Sequence, residues 1–210
     1  MHCKYVVGSG ALLEWAMQSW AEIDPELELI AIDVQQDKRH FFDFGFLDTL
    51  RSPEEATAFV AWSPQFLNFR RLELMGLFKT RGYRMPALRC PGAVIAVGAK
   101  ISENAAVGAG AIVGPGCRIG MNAHVGQGAT LGAGVQIGNS AWVADGVQMG
   151  AGATLGAHST LGLGVIVADG VAVGRQSILD KPGRRTEPLA DKTYCLARLE
   201  REVRIVDYSR

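Results

Sequence analysis

His124 and Trp142 stand 18 residues apart in the second half of a 210-residue chain. An imidazole placed there could serve as general base for a nucleophile, and an indole could stack on a ligand ring. The blander roles for the same pair are an interface histidine and a filled groove. His158, Asp145 and Asp169 fall where turns are expected and are read as exposed corner residues. Near the N-terminus Gly8-Ser9-Gly10 links an apolar run to an amphipathic one, and Asp33 follows about 20 residues later, the order of a nucleotide-binding turn. Glycines there let backbone N–H groups and a positive helix end approach a phosphate, and Asp33 could accept from a ribose or base. A structural turn and a solvated strand-end carboxylate explain the same residues, and Leu13 replaces the last glycine of a full fingerprint.

The elements that must hold these groups are legible from two different patterns. From Ile95 to Val173 an aliphatic residue recurs every six positions, fourteen times without exception, and the residue four further on is always Ala, Val, Ser or Cys. Ten of the fourteen are followed by Gly, among them Gly126, Gly132 and Gly162. A six-residue period is neither that of a helix nor that of a plain strand; it predicts a parallel β-helix in which three units close one coil and residues 18 apart are stacked. His124 and Trp142 then share one face in successive coils. Only six charged residues interrupt 84 positions, so the outer faces are expected to be covered, most simply by further copies of the same prism.

Residues 1–88 read as a separate α/β domain. Tyr5–Val7 predicts a strand, Ala11–Ala21 a helix, Leu27–Val34 and Ala58–Trp62 two more strands, and Gln65–Thr80 a second helix, with Met85–Leu88 leading into the prism of residues 89–178. Residues 179–210 regain charge and predict a cap, with a helix over Ala190–Val203 and a short strand over Val203–Val206. Arg184-Arg185 could attract a phosphate.

Composition narrows the class. With 48% hydrophobic and 20% charged residues the chain can bury a core, and its zero net charge argues against nucleic-acid binding through phosphates. No apolar run reaches membrane-spanning length and no secretory leader is apparent, which predicts a cytoplasmic protein without a membrane span. Four cysteines without metal-ligand spacing are expected to be free thiols. Two dispersed histidines do not make an intersubunit zinc site, so no metal is expected.

The Gly-rich turn, the stretch RGYRMPALRCPGAVI and the unbroken repeat together resemble the sugar O-acyltransferases and nucleotide-amino-sugar N-acetyltransferases of the sialic acid and bacillosamine type. The resemblance implies a small Rossmann-like domain followed by a left-handed β-helix and a short cap. It further implies a homotrimer with sites between prisms, acetyl-CoA as acyl donor and a nucleotide-linked sugar as acceptor in surface polysaccharide biosynthesis. Gly8, Ser9, Gly10 and Asp33 then become substrate-binding positions, and Trp142, Gly162, Gly164 and Ala168 cofactor-binding ones. The family's acidic residue, histidine base and second acidic residue fall on Gly132-Ala133-Gly134, and its second histidine falls on Trp142. His124 is the replacement base the sequence offers. A catalytically silent homologue that binds a ligand or a partner enzyme as a trimeric scaffold is the competing reading.

Overall fold

The computed structural model describes residues 3–205. The N-terminal domain is a three-stranded parallel sheet of order β2-β1-β3, with β1 at Cys3–Gly8, β2 at Glu28–Asp33 and β3 at Ala56–Ala61. Helix α1, Gly10–Ile23, covers one face and turns Leu13, Ala16 and Trp20 inward. Helix α2, Phe69–Thr80, covers the other with Leu74, Met75 and Phe78. Helix α2 starts four residues later than its apolar pattern predicts, because Phe66, Leu67 and Asn68 all adopt left-handed backbone angles (φ 47°, 54° and 64°).

From Leu88 onward two-residue strands build three flat faces. Each strand pairs in parallel with the one 18 residues away, so that Ala106, His124, Trp142, Thr160 and Ile178 form one outward column. The aliphatic and small positions fill the bore: Val107, Val113, Ile119, Val125, Leu131 and Val143 are buried with Ala111, Cys117, Ala123 and Ala129. Bore filling is thus what the six-residue period encodes. The glycines after the aliphatic positions answer to packing between coils. A Cβ on Gly126 would come within 2.6 Å of the Asp145 backbone nitrogen.

Each coil needs left-handed residues at its corners, and two corners use glycine, for example Gly128 and Gly134. The third corner does not. It carries Asn104, Asn122, Ser140, His158 and Gln176, all with φ between 53° and 60°, a conformation that costs a residue with a Cβ roughly 1–2 kcal/mol. At Asn104, Asn122 and His158 the N-terminal domain fastens to this corner. Asn104 Oδ1 accepts from the Val60 N–H of β3 at 2.8 Å, its Nδ2 donates to Asn122 Oδ1 at 2.8 Å, and Asn122 Nδ2 donates to Ser140 Oγ at 3.0 Å. From α2, Arg71 donates to the carbonyls of Asn122 and Asn104 at 2.8 and 3.3 Å. His158, expected to be an exposed corner, is instead half-buried. Its ring stacks on Phe69 at 4.1 Å and its Nδ1 lies 3.1 Å from the Leu67 carbonyl. One outward face is therefore covered by the chain's own domain, where the sequence suggested a second copy.

The cap also differs from expectation. Thr193–Leu196 is a strand and not part of a helix over Ala190–Val203; it adds in parallel to Ile178–Asp180 and pairs antiparallel with Val203–Arg204. An open coil end presents unpaired N–H and C=O groups that an added strand satisfies directly. The expected strand through Val206 is seen as Val203–Arg204, and Val206 lies outside the described residues.

Candidate functional site

A cavity of about 360 Å³ opens between the first turn of α1 and the column of outward residues, lined by Ala11, Leu12, Trp15, His124, Gln127, Trp142, Ala144, Asp145 and Leu163. The register of the prism sets His124 directly over Trp142, and their rings stack in parallel at 3.9 Å. Trp15 of α1 closes on the imidazole edge-on at 5.6 Å. His124 points away from the bore, as its position predicts, but it is 5% exposed because α1 lies over it. It does not face a free seam.

Burial, and after it the nearby Arg71 charge, push the His124 pKa down to about 3. The ring is therefore a neutral imidazole at physiological pH, and its Nδ1 is enclosed without a hydrogen-bond partner. A base of that strength is poorly matched to proton abstraction near neutrality, so His124 suits hydrogen bonding and ring packing better than the general-base role the sequence offered it. Arg71 of α2 stands behind the indole with its guanidinium carbon 5.8 Å from the Trp142 ring. Its side chain is fully buried, burial pulls its pKa down to about 9, and among the described residues no carboxylate pairs with it. Nothing in the sequence marked Arg71, since an Arg in an amphipathic helix ordinarily faces solvent.

The other sequence-derived positions divide. Gly8, Ser9, Gly10 and Asp33 all lie at the C-terminal edge of the sheet, where Gly8 and Asp33 are in register. Gly8 has a packing reason of its own, because a Cβ would sit 1.9 Å from the Ala61 carbonyl oxygen. Gly10, with φ 57°, has open space where a Cβ would stand, and Ser9 makes no side-chain cap to α1. The first turn of that helix thus keeps uncapped N–H groups beside the cavity. Asp33 is exposed and accepts from Gln35.

Trp142, Gly162, Gly164 and Ala168 do not share one cleft. Trp142 lines the cavity under α1, and Gly162 and Gly164 are small because Asp180 and Pro182 of the next coil crowd them. Ala168 lies in a second cleft of about 380 Å³ on the neighbouring face, with Thr130, Gly132, Gln148, Asp169 and Arg184. Gly132, the first residue of the Gly132-Ala133-Gly134 corner, lines this cleft. Arg184 faces it without an ion-pair partner among the described residues, whereas Arg185 is engaged by Glu202 and by the carbonyls of Glu187 and Pro188. Among the described residues no group of three His, Cys, Asp or Glu could hold a metal ion.

Residues 98–133 match the bacterial transferase hexapeptide (six repeats) family. No curated protein matches the chain. Among solved structures, PerB from Caulobacter crescentus, in complex with CoA and GDP-perosamine, superposes with a TM-score of 0.78 at 21% identity, covering 92% of this chain and 93% of that one. The acetyltransferase domain of PglB from Neisseria gonorrhoeae gives 0.80 at 20% identity over 91% and 95%. A mutant of GDP-perosamine N-acetyltransferase from Caulobacter crescentus gives 0.72 at 22% over 93% and 94%. This chain has their fold. It is a Rossmann-like domain joined to a left-handed hexapeptide β-helix, and the likeness extends over nearly the full length of both partners.

Proposed function

We propose that the protein transfers an acetyl group from acetyl-CoA to a nucleotide-linked amino sugar in surface polysaccharide biosynthesis. The observation that carries the reading is the cavity under α1, where an uncapped helix turn able to meet phosphate adjoins an aromatic wall able to pack a sugar ring. The acceptor lies in this cavity, its phosphates towards Gly8-Ser9-Gly10 and its sugar against Trp142, with His124 as hydrogen-bonding partner. Acetyl-CoA lies along the second cleft, where Ala168 and Arg184 meet its pantetheine and a phosphate. Fold neighbours crystallised with CoA and GDP-perosamine support the ligand classes.

The full site takes a homotrimer, in which the Gly132 corner of one copy meets the cavity of the next. Val94, Ile112 and Ile166 support this assembly, as large aliphatic side chains exposed in one column beside that corner. No helix is long and apolar enough to cross a membrane among the described residues, and free cysteines suit a cytoplasmic setting.

Thiol release from acetyl-CoA, measured against GDP-, UDP- and dTDP-linked amino sugars, tests the reading. Turnover with one class supports it. The second reading, a silent scaffold, is favoured by Gly132-Ala133-Gly134 at the expected base position and predicts acceptor binding by calorimetry without thiol release.

A further inference from the structure

Resting on the acyl-transfer reading, we propose that His124 is held as the tautomer with its proton on Nε2 and so presents a hydrogen-bond donor, never an acceptor, to the cavity. It reads an oxygen of the acceptor sugar and turns the sugar's nitrogen towards the mouth. Arg71 fixes the tautomer from behind and is a positioning residue.

A neutral imidazole carries one N–H and one lone pair, and the surroundings of one nitrogen decide the state of the other. Burial keeps this ring neutral. Its Nδ1 is enclosed and has no hydrogen-bond partner among the described residues, which leaves Nε2 as the nitrogen that faces the cavity His124 lines. The ring is held in that orientation by two indoles, Trp142 parallel at 3.9 Å and Trp15 edge-on at 5.6 Å.

On the enclosed side stands Arg71, whose charge reaches the imidazole. Its guanidinium donates to the Asn122 carbonyl, two residues before His124, and to the Asn104 carbonyl, while its Nε–H is buried without a partner. A lone pair on Nδ1 turns negative charge towards this cation, whereas an N–H there would add a second unpaired donor to the first. The seam holds little water to screen the difference. The uncapped turn of α1 acts in the opposite sense and favours a lone pair on Nε2, but Gly10 and Ala11 are exposed and the acceptor's phosphates meet that turn in the reading above. Arg71 lies outside the cavity lining, so a bound ligand does not cancel its charge.

The cavity thus offers a donor at its floor and an acceptor at its mouth. Asp145, exposed at the mouth, accepts the Gln127 N–H at 2.8 Å through one carboxylate oxygen. An amino sugar packed against Trp142 sets a hydroxyl or ether oxygen on the His124 Nε2–H. An ammonium only donates, finds no partner on that N–H, and is turned towards Asp145. The nitrogen then lies at the open side, where the Gly132 corner of a neighbouring copy brings the thioester in the proposed trimer.

Long-range proton–nitrogen NMR of wild type carrying nitrogen-15 in its histidines separates the two tautomers without turnover. His124 is expected as Nε2–H, and Arg71→Met should shift it towards Nδ1–H. If Arg71→Met does not fold, titrating wild type with a nucleotide-linked amino sugar should still move the Nε2–H resonance. In kinetics, His124→Met should raise KM for the acceptor about five- to tenfold, more than it lowers kcat, and His124→Gln, whose amide nitrogen stands near the place of Nε2, should recover most of that loss. Among acceptors that each lack one sugar oxygen, one should cost wild type a similar factor in KM and cost His124→Met nothing further. His124 as Nδ1–H in wild type, one tautomer shared by wild type and Arg71→Met, an Nε2–H resonance unmoved by the acceptor, or equal KM for His124→Gln and His124→Met overturns the inference alone. Thiol release with none of the acceptors overturns the acyl-transfer reading beneath it, while the NMR result still decides the tautomer.

Discussion

Trp142 lies one coil beyond His124 with its indole parallel to the imidazole at 3.9 Å, and this stack floors the cavity beneath α1. A histidine so enclosed must be neutral to fold, which ties stability to pH. The folded pKa, about 3, lies below the unfolded value of about 6.5. The unfolded chain binds the extra proton between those values, so stability is complete above about pH 6.5 and falls as pH drops, by up to about 1.4 kcal/mol per unit from this group. Urea unfolding at pH 7 and pH 5 should differ accordingly, and the His124→Gln variant should lose most of that difference.

The Asn104 side chain joins the sheet to the prism through a buried amide, and Asn104→Ala removes the partners of the Val60 N–H and of Asn122 Oδ1. Each lost buried partner costs about 1–3 kcal/mol, so a loss of about 2–4 kcal/mol is expected. Hydrogen exchange should show the Val60 amide losing protection before the bore strands do.

Gly126 and Gly128 separate crowding from backbone conformation. At Gly128, with φ 64° and open space around the Cβ position, alanine should cost about 1–2 kcal/mol. At Gly126 the same change drives a methyl group against the Asp145 backbone, and thermal unfolding should register a distinctly larger drop.

Arg184 and Arg185 should part company in kinetics. Arg184→Ala removes a cation that lines the cleft and should raise KM for acetyl-CoA several-fold at unchanged Tm, consistent with about 1 kcal/mol for an exposed phosphate contact. Arg185→Ala removes contacts to Glu202, Glu187 and Pro188 and should lower Tm with little change in KM.

The prism was fully legible because its period is enforced by the bore: every sixth side chain must be aliphatic for coils to stack. The N-terminal strands and helices were legible from ordinary apolar patterning, to within four residues. What the sequence hid was the docking of one unit on the other. Asn104, Asn122 and Ser140 occupy turn positions, which each favours by itself, and only their spacing of 18 beside Arg71 and Val60 gives them a joint purpose. The burial of His124 escaped notice for the same reason, because Trp15 reaches it from over 100 residues away. The cap was misread as a helix because Leu196, Leu199 and Val203 fit a helical stripe, while the edge they meet asks for a strand.

The amide ladder at the third corner also indexes one domain against the other. Since its rungs join Val60 to Asn104, Asn122 and Ser140 in fixed succession, an extra coil inserted between residues 104 and 140 would carry Trp142 out from beneath α1 and dismantle the cavity. A coil added after Gln176 would leave it untouched. The prism is free to grow only at its far end, and variation in length among proteins built this way should accumulate there.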